Sequence, residues 1–169
     1  MDIPRDIREG EEFSLDELKK YLSQNNIQAE DLSLKQFPSG YSNLTYFLQS
    51  SSKQFVLRRP PFGAKSLQGG HDMLREYNVL KNLKSQFSKV PDVFLYCDNN
   101  EILGAPFYLM ERVEGYIIRP NLQQKDSPGS DIIQNVSKSL VSTLVELHNV
   151  NIEKANLKDL GNINGYVKR

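Results

Sequence analysis

Three stretches in succession set the architecture of this chain: Phe37-Pro-Ser-Gly-Tyr-Ser-Asn-Leu-Thr-Tyr-Phe-Leu48, then Phe55-Val-Leu-Arg-Arg-Pro-Pro61, then His71-Asp-Met-Leu-Arg-Glu-Tyr77. The first alternates apolar and polar residues around Gly40, and this period of two predicts a β-hairpin. The second is a strand that ends in arginine, because the two prolines after it cannot continue a sheet ladder. The third has apolar residues at helical spacing and carries Glu76. We therefore expect a glycine turn, an arginine strand and a glutamate helix in this order.

The same kinds of pattern predict the elements on either side. Ser14-Leu-Asp-Glu17 is a capping box that precedes a short amphipathic helix over about 15–24. Two apolar, β-prone runs follow the glutamate helix, at 90–97 and at 107–113. Asp98-Asn-Asn100 lies between them and is typical of a hairpin turn. The fold class that follows is α+β, with a five-stranded antiparallel sheet and one helix inserted after the third strand.

The composition divides the chain into four parts. We expect an amino-terminal segment with a short helix at 1–31, the sheet with its inserted helix at 32–113, a polar hinge and linker at 114–130, and a last part at 131–169. Apolar residues at helical spacing over about 132–148 predict one long amphipathic helix in the last part.

Charge and cysteine content exclude several classes of protein. The 169 residues contain 21 Lys and Arg against 21 Asp and Glu, so no basic field is present to attract nucleic acid. Cys97 is the single cysteine, and no secretory segment follows Met1. No apolar run approaches the roughly 18 residues of a membrane span. We expect a cytoplasmic protein that binds neither nucleic acid nor membrane.

The glycine turn is a candidate phosphate site. Gly40 is accompanied by Ser42 and Asn43, so backbone N–H groups and short polar side chains could surround an anion. The alternative is a plain hairpin turn that needs glycine and asparagine only for positive φ angles.

The arginine strand and the glutamate helix are candidate partners. Val56 and Arg58 share one face of the strand, as residues two apart must, while Arg59 lies on the opposite face and is expected to be a solvated charge. The Glu76 carboxylate could hold the Arg58 guanidinium through two parallel hydrogen bonds. The alternative for both residues is an exposed, unpaired charge. His71 and His148 have no partners at metal-ligand spacing and are expected to be caps or surface residues, and Cys97 a small buried residue.

Five ordered motifs resemble the aminoglycoside phosphotransferase family, in particular its branch of kinase domains joined to acyl-CoA dehydrogenases. These motifs are Gly40-Tyr-Ser-Asn-Leu-Thr-Tyr46, Val56-Leu-Arg-Arg-Pro-Pro61, His71-Asp-Met-Leu-Arg-Glu-Tyr77, Gly104-Ala-Pro-Phe-Tyr-Leu-Met-Glu111 and Leu147-His148. The resemblance implies a protein-kinase-like fold in two lobes. This chain would supply the amino-terminal lobe, the hinge and linker, and the start of an incomplete carboxy-lobe with its first helix.

The resemblance also implies a function and a set of site residues. The family transfers the γ-phosphate of ATP, with magnesium, to a hydroxyl group of a small molecule. By resemblance Arg58 takes the place of the kinase lysine, Glu76 is its partner, and a hinge beginning at Met110 contacts adenine through its main chain. The implied nucleotide-binding residues are Gly40, Ser42, Asn43, Val56, Arg58, Glu76, Met110, Glu111, Arg112 and Val113.

The family's catalytic His-Gly-Asp segment and its metal ligands have no match after His148. Asp159 precedes Leu-Gly instead of following His-Gly, so the catalytic residue stays unassigned and no metal ligand is expected in this chain. We therefore expect the ATP-binding part of a phosphotransferase, inactive alone, in a truncated product or a fragment of a longer protein. The alternative is a non-catalytic nucleotide-binding or protein-interaction module. In either case, the 132–148 helix is a candidate surface for homo-oligomer formation.

Overall fold

The computed structural model describes residues 3–38, 43–63, 71–118 and 128–161. Helix α1 (Leu15–Gln24) begins and ends where the sequence predicts. The Ser14 hydroxyl accepts a hydrogen bond from the Glu17 N–H at 3.2 Å, which caps the first turn. After the last turn, Asn26 adopts a positive φ of 61°, the left-handed conformation that asparagine tolerates.

The predicted five-stranded antiparallel sheet is confirmed. Its strands, in the spatial order β1-β2-β3-β5-β4, are β1 (Ser33–Gln36), β2 (Leu44–Gln49), β3 (Gln54–Arg59), β4 (Val93–Cys97) and β5 (Phe107–Glu111). The arginine strand β3 is central, between β2 and β5. Edge strand β1 is bridged by Arg5, whose N–H and C=O both bond Gln36 at 2.8 Å.

Helix α2 (Met73–Leu83) is the glutamate helix and follows β3, as predicted. The hairpin turn expected at Asp98-Asn-Asn100 is wrong, because a short helix α3 (Asn100–Leu103) connects β4 to β5. The Asn99 side chain accepts from the Glu101 N–H at 2.9 Å, and Gly104, at φ 76°, ends the helix in the left-handed conformation. Asparagine therefore caps a helix here instead of turning a hairpin.

The sheet has two different faces. One face carries aromatic and aliphatic side chains that form the core together with Leu18 and Leu22 of α1; among them are Tyr46, Leu48, Phe55, Leu57, Phe107 and Leu109. Because neighbouring residues alternate between faces, Val56 and Arg58 lie on the other face, as do their cross-strand neighbours Met110 and Tyr108. The candidate site is built on this second face.

The chain packs as two compact units. The larger consists of the described residues of Asp2–Lys81 and Pro91–Glu114, and the smaller of those in Asn82–Val90 and Gly115–Arg169. The four-part division expected from the sequence stays a prediction.

The smaller unit contains α4 (Ser130–His148) and a 3-10 helix (Lys158–Leu160). Within it, the Lys89 ammonium lies 2.6 Å from Glu146 Oε2 and 3.2 Å from Thr143 Oγ1 of α4. Among the described residues, no helix is both long enough and apolar enough to cross a bilayer.

Candidate functional site

The predicted pairing of Arg58 with Glu76 is present as an ion pair, but the two parallel hydrogen bonds expected between them are not found among the described residues. Arg58 Nε lies 3.4 Å from Glu76 Oε2, and each side chain is about one-third exposed, at 31% and 33%. The Nε atom itself is shielded from solvent and makes no hydrogen bond within the described parts of the chain. The contact is therefore an ion pair that is longer than an ordinary N–H···O hydrogen bond.

Glu76 is held by two further donors. The Tyr108 hydroxyl donates to Oε2 at 3.0 Å, and Asn43 Nδ2 donates to Oε1 at 2.9 Å. Tyr108 stands opposite Arg58 in the β3–β5 ladder, and both side chains contact the same carboxylate oxygen. Burial raises the pKa of Tyr108 above its ordinary value, which keeps the hydroxyl protonated and able to donate. Both carboxylate oxygens are thus bound.

Asn43 connects this carboxylate to a histidine. The Asn43 side chain is buried, and its Oδ1 lies 2.8 Å from His71 Nδ1. The sequence predicted Asn43 for the nucleotide turn and His71 for a cap or the surface. The structure places Asn43 between Glu76 and His71, 28 residues from the histidine in sequence. No local sequence signal indicates this contact, although both residues lie within the quoted motifs.

A cleft of about 360 Å³ opens beside the pair. It carries charges of both signs over an apolar wall, and its lining residues are Arg58, Asp72, Arg75, Glu76, Val79, Leu80 and Tyr108. The Arg58 side chain is about one-third exposed and lines this cleft, so it offers a cation to an anionic group bound there.

Arg59 contradicts its sequence-based expectation of a solvated charge. Its side chain is 1% exposed, and its guanidinium donates to the carbonyls of Leu103 at 2.7 Å and Pro60 at 3.1 Å. The guanidinium carbon also lies 3.5 Å from the centre of the Phe62 ring. The alternation that places Arg59 opposite Arg58 is correct, but the opposite face is the core face. Burial lowers the pKa of Arg59, and main-chain carbonyls and an aromatic ring replace water around its charge.

The predicted hinge begins at the end of β5. Met110 is the cross-strand neighbour of Val56, which is buried, so together they form an apolar floor next to Arg58. The Glu111 N–H donates to the Asp92 carbonyl at 2.8 Å, and the Glu111 carboxylate accepts from the Asp92 N–H at 3.1 Å. The main-chain donor of Glu111 is therefore used within the sheet.

Arg112 and Val113, the next two residues of the hinge, differ in their contacts. Arg112 Nη1 donates to Gln54 Oε1 at 2.6 Å, and its guanidinium carbon lies 4.5 Å from the Phe47 ring centre. Val113 is 67% exposed, and no main-chain hydrogen bond of its N–H is recorded among the described residues. Arg112 is therefore held by side-chain contacts, whereas Val113 is largely exposed.

Gly40 and Ser42, the other predicted members of the nucleotide site, lie outside the described residues. Within those residues, His, Cys, Asp and Glu side chains form no group of three or more that could hold a metal ion.

Comparison with known proteins gives one family and one fold. The phosphotransferase enzyme family matches residues 33–169. Acyl-CoA dehydrogenase family member 11 of Rattus norvegicus is 38% identical over 177 residues, covering 100% of this chain and 22% of that protein. The Homo sapiens member 11 is 35% identical, covering 93% and 20%, and the Mus musculus member 10 is 30% identical, covering 98% and 15%. The chain thus spans about a fifth of the length of the curated relatives it matches.

A crystal structure of a Ralstonia eutropha protein assigned as an aminoglycoside phosphotransferase superposes with a TM-score of 0.70. The two chains are 23% identical, and the match covers 89% of this chain and 43% of that one. At this identity the likeness establishes a shared fold, and this agrees with the kinase-like fold that the sequence motifs imply.

Proposed function

The chain belongs to the phosphotransferase enzyme family, and on that premise we propose that it carries the ATP-binding part of a kinase-like site. The complete site transfers the γ-phosphate of ATP to a hydroxyl group of a small molecule. The observation that supports this assignment is the Arg58–Glu76 ion pair on the face of the sheet opposite α1, beside a cleft. A cation anchored by a helix carboxylate is the arrangement that positions nucleotide phosphates in this class of site.

Arg58 is assigned to the phosphates. A guanidinium stays charged at any physiological pH, and its planar fork suits two phosphate oxygens. The Arg58 side chain is 31% exposed and lines the cleft, so the exposed part of its guanidinium is where a phosphate group would bind. Glu76 keeps the guanidinium in place from the α2 side.

The adenine ring is assigned to the apolar floor and the hinge. Val56 and Met110 supply the floor, as cross-strand neighbours on the face of Arg58. Since the Glu111 N–H is already bonded to Asp92, we assign the adenine hydrogen bonds to the main chain of Arg112 and Val113. Gly40 and Ser42 remain assigned to the phosphates.

Phosphoryl transfer depends on positioning the nucleotide and the acceptor hydroxyl and on neutralising the negative charge of the phosphates. ATP, when bound, supplies the phosphoryl group, while the residues of this chain hold and orient the nucleotide. Among the described residues no three or more His, Cys, Asp and Glu side chains form a group that could hold a metal ion, and we assign neither the Mg²⁺ ligands nor the catalytic base to them. A cytoplasmic location is part of the same proposal, since ATP and small hydroxyl compounds meet there.

Fluorescence titration with N-methylanthraniloyl-ATP tests the assignment of Arg58. Arg58→Met keeps the length of the side chain and removes its charge, so we expect binding to weaken about tenfold or more. Arg5→Met is the matched control, because Arg5 is exposed and belongs to the edge of the sheet. Equal affinity of wild type and Arg58→Met would contradict the assignment.

A further inference from the structure

We propose that His71 and Asn43 are positioning residues that fix the orientation of Glu76 and, through it, of Arg58. The proposal rests on the proposed nucleotide function for its consequence, but its geometry stands on three contacts. His71 Nδ1 lies 2.8 Å from Asn43 Oδ1, Asn43 Nδ2 lies 2.9 Å from Glu76 Oε1, and Glu76 Oε2 lies 3.4 Å from Arg58 Nε. We call these four residues the relay.

The direction of the hydrogen bonds in the relay follows from chemistry. An ionised carboxylate only accepts, so the Asn43 group that faces Glu76 must be the amide NH₂. The Asn43 carbonyl then faces His71, and His71 Nδ1 must carry the hydrogen. With the amide reversed, two oxygens would face each other at Glu76 and no hydrogen could lie between them. The Glu76 carboxylate therefore sets the orientation of the amide, and a hydrogen on His71 Nδ1 stabilises that orientation with a second bond.

The burial of Asn43 makes the orientation of its amide important. The Asn43 side chain is 3% exposed, so water cannot readily replace either of its partners. Glu76 is half-buried, and a glutamate on a helix surface otherwise samples several rotamers. Asn43 on Oε1 and Tyr108 on Oε2 leave one orientation that satisfies both donors. The long contact from Oε2 to Arg58 depends on that orientation.

The relay also joins separate elements. Asn43 directly precedes β2, His71 lies two residues before α2, and Arg58 is on β3. The His71 carbonyl accepts from the Met73 N–H at 3.1 Å, which attaches the histidine to the start of the helix. The start of α2 and the start of β2 are therefore tied at the point where Glu76 meets Arg58.

The tautomer of His71 gives a spectroscopic test that needs no ligand. Long-range ¹H–¹⁵N spectra of the 169-residue chain should show a hydrogen on His71 Nδ1. One Asn43 side-chain NH₂ resonance should be shifted and slow to exchange, because it is bonded to Glu76. A His71 ring protonated at Nε2 alone would overturn the proposal.

Substitution gives the second test. In His71→Asn the amide Nδ2 occupies nearly the position of imidazole Nδ1, whereas His71→Gln places its nitrogen near Nε2 and His71→Ala has no donor. We expect the dissociation constant for N-methylanthraniloyl-ATP to rise about tenfold in His71→Ala and His71→Gln and to return towards wild type in His71→Asn. His148→Asn is the matched control, since His148 lies in the last turn of α4.

The outcomes separate the two proposals. If the wild-type chain binds no nucleotide, the proposed function fails. The relay is still tested by the tautomer of His71 and by a double-mutant cycle of His71 and Glu76 in urea unfolding. The effects of His71→Ala and Glu76→Ala should then be less than additive, because both remove one chain of bonds. Equal affinity and additive stability in all His71 variants would overturn the relay.

Discussion

Arg58 and Tyr108 stand directly opposite each other on β3 and β5, and both reach the same Glu76 oxygen, at 3.4 Å and 3.0 Å. One is a cation and the other is a neutral donor kept protonated by burial, which raises the pKa of Tyr108. The attachment of α2 to the sheet therefore does not depend on charge alone. It follows that removing Glu76 and removing Arg58 have different consequences.

Glu76→Ala should lower the free energy of unfolding by about 2 to 4 kcal/mol, because the buried Asn43 and Tyr108 groups lose their acceptor. Arg58→Ala should lower the free energy of unfolding by less than Glu76→Ala does. A double-mutant cycle in urea should give a coupling of only about 1 kcal/mol for the pair, since both side chains are one-third exposed. Strictly additive effects would mean that the two side chains do not meet in solution.

Arg59→Met should destabilise the chain by about 2 to 4 kcal/mol, because the Leu103 and Pro60 carbonyls lose their donor inside the core. Arg59→Lys should recover part of the lost stability, since an ammonium keeps the charge but cannot reach both carbonyls as a guanidinium does. The exposed Arg5→Met variant should change stability by less than about 0.5 kcal/mol. Urea midpoints that are equal for the Arg59 and Arg5 variants would refute the buried position of Arg59.

Stability should fall at alkaline pH because of buried tyrosines. Burial raises the pKa of Tyr46 to about 12 from the model-compound value of 10.0, and its hydroxyl donates to the Glu11 carbonyl at 2.7 Å. Above pH 10 the unfolded chain releases this proton while the folded chain keeps it, so the contribution is complete below pH 10 and lost as pH rises to about 12.

Urea unfolding at pH 8 to 11 measures this loss. The free energy of unfolding should decline less with pH in Tyr46→Phe than in wild type. The difference between the two declines should be on the order of 1 kcal/mol at pH 11. Tyr116→Phe, in which the replaced tyrosine is 90% exposed, should decline as wild type does. Identical slopes in all three proteins would exclude Tyr46 as a source of the pH dependence.

The 169-residue chain should self-associate through α4. None of its residues is buried within the described parts of the chain. Its large apolar side chains are 37% to 61% exposed: Ile132, Ile133, Val136, Leu140, Val141, Leu144, Val145 and Leu147. A contiguous apolar surface of this kind favours association with a second copy.

Sedimentation velocity should show oligomers whose fraction grows with concentration. Leu140→Glu should shift the distribution towards monomer, because it places a charge in the middle of the apolar surface, while Asn135→Glu on the polar side should not. A monomer at every concentration, with α4 amides protected from hydrogen exchange, would show that the surface is covered within one chain.

Local patterns were sufficient for much of the fold. The Ser14 cap, the alternation in β2 and β3 and the spacing in α2 depend on neighbouring residues, and each is found where the sequence predicts it. The pairing of Arg58 with Glu76 was also predictable, since strand and helix follow each other and the motif order restricts their arrangement.

Other features depend on contacts that no local pattern encodes. Arg59 was expected in solvent because the pattern of β3 gives two faces but does not say which one α1 covers. His71 and Asn43 are far apart in sequence, so their contact exists only once β2 and α2 pack together. The helix α3 replaced an expected turn because Asn99 serves equally well as a turn residue and as a helix cap.

An NMR titration of the ¹⁵N-labelled chain with ATP tests the central claim most directly. We predict weak binding, on the order of millimolar and not dependent on Mg²⁺, because the phosphate cation and hinge are present while a metal ligand set is not found in the described residues. Amide shifts should concentrate at Arg58, Glu76 and the hinge from Met110 to Val113. The account would be contradicted by the absence of shifts at millimolar ATP, by shifts confined to other surfaces, or by micromolar binding that requires Mg²⁺.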